Sequence, residues 1–120
     1  MNSTIEDRDK KVENFIIASQ DSSVDTADLS LLLWDLLYDY EGYTFHTVKG
    51  LEFTFHIKGH ELFIDRKEKS ITLSSLRKAL SVAKEYNFIV SGPKVLGIFG
   101  ASYIYPILLE VGIIRKIHNA

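Results

Sequence analysis

Residues 43–86 read YTFHTVKGLEFTFHIKGHELFIDRKEKSITLSSLRKALSVAKEY, and the fold turns on how this stretch divides. Leu51, Phe53, Phe55 and Ile57 alternate with Glu52, Thr54, His56 and Lys58. A period of two gives a strand one buried and one wet face. Two registers join it to the strand before. A two-residue Lys49-Gly50 turn sets His46 on the same face as Phe53. A three-residue Val48-Lys49-Gly50 loop, with Gly50 left-handed, pairs Phe45 with Phe53 and Tyr43 with Phe55; it is preferred because every aromatic then faces inward. On the other side, a Gly59-His60 type II′ turn pairs Lys58 with Glu61, Ile57 with Leu62 and Phe55 with Ile64, so charge meets charge and apolar meets apolar. The expectation is a three-stranded antiparallel meander with His46, Glu52, Thr54, His56, Lys58, Glu61, Phe63 and Asp65 on its exposed face.

A charged connector, Arg66-Lys67-Glu68-Lys69-Ser70, leads to Thr72, a good N-cap, and a helix from Leu73 to about Tyr86. Leu73, Leu76, Ala79, Leu80, Ala83 and Tyr86 are expected to face inward. Ser74, Arg77, Lys78, Ser81 and Lys84 form an outward stripe that reads as basic and free of acids.

Upstream of the meander, Ser3 and Glu6 have capping-box spacing. A helix is expected from Thr4 to Ser19, with Ile5, Val12, Phe15 and Ile16 on one face. After the Gln20–Val24 connector, Asp25 or Thr26 caps a second helix running to Tyr40 and closed by Gly42. Leu29, Leu32, Leu33, Leu36, Leu37 and Tyr40 make its core stripe. Leu31, Trp34 and Tyr38 make a second apolar stripe, and Asp28, Asp35 and Asp39 a polar ridge read as solvated surface.

Downstream, Asn87 ends the helix, Phe88–Val90 is β-prone and Ser91-Gly92-Pro93 turns the chain. Val95–Val111 reads either as one helix kinked at Pro106 or as a turn or short helix followed by a helix. If Ser102 caps the latter, Pro106 loses only the first intrahelical bond and Gly112 stops the helix. Ile113–Ile117 is expected as a closing strand. The whole is read as a single α+β domain spanning 1–120: two N-terminal helices, the meander, an amphipathic helix, a short strand, a C-terminal helix and a closing strand.

The totals agree with this. A chain of 120 residues is long enough for one core and short for two. Cysteine is absent, so disulfides and thiolate metal sites are excluded. The N-terminus lacks a signal peptide's basic-then-apolar pattern. The apolar run Val95–Ile114 is interrupted by Gly97, Gly100, Pro106, Glu110 and Gly112, so no membrane span is expected and a cytoplasmic location is. The net charge of −2 conceals an asymmetry: residues 1–41 hold ten acids against three bases (−7), and residues 42–120 six acids against eleven bases (+5). A basic part of this size suits a polyanionic partner, or neutralises the acidic part within one fold.

No catalytic constellation emerges. The histidines lack zinc-site spacing, and metal binding is not expected. Gly100-Ala101-Ser102-Tyr103-Ile104 lacks the last glycine of a nucleophile elbow, and Gly92-Pro93-Lys94 is no P-loop. No enzyme activity and no cofactor are expected. Two binding roles remain. The first is a nucleic-acid-binding regulator using Arg66, Lys67, Lys69, Thr72, Ser74, Arg77, Lys78, Ser81 and Lys84, residue types that contact phosphates and base edges. The second is a protein-interaction module, of the size of phage-encoded inhibitors and accessory subunits. It would use Leu31, Trp34, Tyr38 and Phe63, with Tyr103 and Tyr105 as further support, and includes a homodimer as one form.

Overall fold

The computed structural model describes residues 5–66 and 69–117. Five helices and five short strands follow in the order α1 (Ile5–Ser19), α2 (Thr26–Tyr38), β1 (Phe45–His46), β2 (Glu52–Phe53), β3 (Phe55–Lys58), β4 (Glu61–Ile64), β5 (Ile71–Thr72), α3 (Leu73–Glu85), α4 (Pro93–Leu96) and α5 (Ala101–Glu110). The fold is α+β, with two small antiparallel sheets of order β1-β2 and β3-β4-β5. Ser3, half of the expected capping box, lies outside the described residues.

The strand expected as continuous from Leu51 is broken at Thr54. Its first half pairs back to β1, with Phe45 opposite Phe53 and His46 opposite Glu52. Its second half pairs onward to β4, with Phe55 opposite Ile64, Ile57 opposite Leu62 and Lys58 opposite Glu61. Thr54 and Asp65 seal the break: the Thr54 N–H donates to Asp65 Oδ1 at 3.0 Å, and the Asp65 N–H to the Thr54 carbonyl at 3.1 Å. Both expected registers are present. The pairing of Tyr43 with Phe55 is not, because the Gly42 N–H takes the Phe55 carbonyl instead. Leu51, expected inward, lies at the exposed end of the loop.

A fifth strand was not foreseen. Ile71 and Thr72 pair with Leu62 and Glu61, so the chain re-enters the sheet immediately before α3. Thr72 then caps the helix as expected, its hydroxyl oxygen accepting from the Ser75 N–H at 3.1 Å. α3 ends at a Schellman motif: the Phe88 N–H donates to the Ala83 carbonyl and the Asn87 N–H to that of Lys84. Tyr86, expected in the core, is exposed where the helix stops.

The core gathers Phe15 from α1, Leu29, Leu33, Leu36 and Leu37 from α2, the inward aromatics Phe45, Phe53 and Phe55, the apolar face of α3, and Ile104, Ile107 and Leu108 from α5. Leu32 and Ile16 are exposed, contrary to the helical-face expectation. α1 is tied to α2 by Lys11, whose ammonium lies 2.8 Å from Asp39 and 3.3 Å from Asp35. Two members of the acidic ridge therefore hold the N-terminal helices together rather than forming plain surface.

The ambiguous C-terminal run resolves into α4, a left-handed Gly97 and α5. The cap of α5 is Gly100, not Ser102, which is already helical and exposed. Pro106 sits inside the helix and removes the bond to the Ser102 carbonyl. A second Schellman motif closes α5, with Ile113 and Gly112 donating to Leu108 and Leu109. The β-prone Phe88–Val90 and the 113–117 segment meet in one parallel bridge, Ile89 to Arg115. No helix among the described residues is long and apolar enough to cross a membrane.

Candidate nucleic-acid interface and neighbouring surfaces

α3 buries Leu73, Leu76, Ala79, Leu80 and Ala83, which leaves Ser74, Arg77, Lys78 and Ser81 exposed at i, i+3, i+4 and i+7 on its other side. The row begins at a shallow hollow of about 350 Å³ that Arg77 shares with His60, Glu61, Thr72 and Ser74. Arg77 Nε makes a long, 3.4 Å hydrogen bond to Ser30 Oγ on α2, and the residue is otherwise exposed. Lys84 is half-buried and belongs to a separate cleft beside Arg115. The row is free of acids as far as Ser81, but exposed Glu85 follows one turn on.

The connector bases do not join this row through any contact of their own. Arg66 Nε donates to the Glu52 carbonyl at 2.6 Å, and the Lys69 ammonium stands 5.5 Å from the centre of the Phe99 ring. Lys67 lies outside the described residues. Thr72 spends its hydroxyl on the helix cap.

The protein-interface candidates separate. Leu31 and Tyr38 are 55% and 44% exposed, but Trp34 is only 6% exposed and belongs to the core. Its indole nitrogen finds no hydrogen-bond partner among the described residues. Phe63 is half-buried under its cross-strand partner His56, the rings stacked at 5.2 Å. Tyr105 is buried, donating to the Val90 carbonyl at 3.0 Å, and its burial raises the phenol pKa. Tyr103 packs edge-on against Phe53. Leu32, assigned to the core from its spacing, joins the exposed side of α2 at 42%.

On the wet sheet face, His46 Nε2 lies 3.6 Å from Glu52 Oε1. Among the described residues no group of three or more His, Asp or Glu is placed to hold a metal ion. No family model, no curated protein and no solved structure matches this chain.

Proposed function

We propose that this chain is a small non-enzymatic nucleic-acid-binding regulator that contacts its ligand through the outer face of α3. The observation that carries the reading is the exposed row of Ser74, Arg77, Lys78 and Ser81 on one rigid helix. Hydroxyls and cations at this spacing suit phosphate oxygens and base edges. The capped start of α3 opens onto the same hollow as Arg77, and a helix N-terminus favours phosphate.

Replacing Arg77→Glu together with Lys78→Glu tests the reading. Nucleic-acid binding should vanish while a cooperative thermal unfolding transition is retained, because both side chains are exposed and the packing loses only the long Arg77–Ser30 hydrogen bond. Unchanged affinity in a folded double variant rules this face out. Glu85→Gln should tighten binding a few-fold by removing the carboxylate one turn beyond Ser81.

A second reading is favoured by a specific observation. Leu31, Leu32 and Tyr38 expose large apolar side chains on α2, close to Asp28 and Asp35 in the sequence. Such a surface suits a protein partner with an apolar, basic face. Loss of partner binding in Leu31→Ser and Tyr38→Ser variants, with nucleic-acid binding absent in the parent, would select this reading.

A further inference from the structure

A cleft of about 680 Å³ opens among the C-terminal ends of α1, α3 and α5, lined in part by Ile16, Lys84, Asn87, Phe88, Ile113 and Arg115. Its volume is that of small-molecule pockets, about 300–1,000 Å³. The charge of its wall is one-sided. Lys84 and Arg115 line it, no aspartate or glutamate does, and neither base enters an ion pair among the described residues.

Helix C-termini ordinarily repel anions through unpaired carbonyls. Here several are already occupied. Ala83 and Lys84 carbonyls accept from Phe88 and Asn87, and those of Leu108 and Leu109 from Ile113 and Gly112. On α1, the Ser19 hydroxyl takes the Ile16 carbonyl, and the Gln20 and Asp21 N–H groups take those of Ile17 and Ala18. The two cations therefore share the wall with fewer free carbonyls.

The backbone at the wall is strained. Asn87 and Phe88 are both left-handed, at φ 54° and 61°, and they are the described non-glycine residues with positive φ. Asparagine tolerates this conformation and phenylalanine resists it, at roughly 1–2 kcal/mol. Phe88 is held there by its N–H on Ala83, by the Arg115 N–H on its carbonyl, and by an edge contact with Phe15 at 6.2 Å. Strain sustained by its surroundings concentrates at ligand sites. This conformation also ties Arg115 to the end of α3, which carries Lys84.

We propose that this cleft binds a small organic phosphate monoester, its phosphate held by Lys84 and Arg115 and its apolar group against Phe88 and Ile113. Two cations on a wall that no acid lines match a group carrying close to two negative charges rather than one. The inference is independent of the α3 row, since Arg115 takes no part in that face.

Phenyl phosphate titrated into the isotope-labelled full chain, read by amide chemical shifts, tests it. Saturable shifts should centre on residues 84–88 and 112–115, with inorganic phosphate and benzoate each binding about tenfold more weakly or worse. Arg115→Gln should weaken phenyl phosphate about tenfold or more without altering the fold, because the bridge to Ile89 uses the Arg115 backbone. Shifts that fail to saturate, shifts centred on Ser74–Ser81, equal binding of benzoate or inorganic phosphate, or undiminished binding to Arg115→Gln would overturn the proposal.

Discussion

Gly100 carries two constraints at once. Its φ of 79° lies in the left-handed region, and a Cβ there would stand 2.6 Å from Ile71 Cδ1. Gly100→Ala should therefore cost about 2 kcal/mol or more, from the backbone penalty and the forced displacement of a core side chain. A urea unfolding curve measures it; a cost below half that would mean Ile71 moves freely. The sequence favours Ser102 as the cap by local propensity, while Gly100 reads only as a residue that allows close backbone approach. The neighbour that makes this approach close is Ile71 on β5, which no local pattern names. Tyr105 makes the same point from the opposite side. It looked like surface, yet its hydroxyl satisfies a buried carbonyl, so Tyr105→Phe should cost about 1–2 kcal/mol by leaving Val90 unpaired. An unchanged urea midpoint would show that the Val90 carbonyl finds another donor.

At the scale of elements, Lys11 couples α1 to α2 through Asp39 and Asp35. The hydrogen bond to Asp39 chiefly raises the Lys11 pKa, with burial opposing it. A lysine that holds its proton more tightly when folded contributes stability in full below the ordinary lysine value. That contribution is lost as pH rises above about 10.4 and through the folded pKa. Lys11→Met should thus lower stability near neutral pH by about 0.5–1 kcal/mol, the size of a solvent-screened pair, and the difference should shrink toward high pH. Urea midpoints across that range check the sign; a difference that grows with pH contradicts it. The hairpin registers were legible because alternation and turn glycines act locally, and Phe45–Phe53 and Phe55–Ile64 pair accordingly. β5 was not, because two residues between a charged connector and an N-cap carry no period. The burial of α2 was half legible: spacing identified Leu29, Leu33, Leu36 and Leu37, but it could not tell which second face a neighbour covers. Trp34 went inward and Leu32 outward.

At the scale of the whole molecule, charge is the organising quantity. Residues 1–41 carry −7 and the remainder +5. The internal ion pairs described at Lys11 lie within the acidic part, so the basic row of α3 is not consumed by them. The exposure of Ser74, Arg77, Lys78 and Ser81 was legible in the sequence, because helical spacing alone sets them opposite the buried face of α3. The surroundings of the other bases were not: Arg66 and Lys69 engage Glu52 and Phe99, and Lys84 lines the cleft, through tertiary contacts that no local pattern encodes.

The measurement that tests the central claim most directly is fluorescence anisotropy of labelled duplex and single-stranded DNA and RNA against the purified protein across a salt series. The account predicts binding that weakens with salt, with a log–log slope of about −2 to −3 on duplex for two or three phosphate contacts. Absence of binding at low ionic strength, where attraction is strongest, would contradict it.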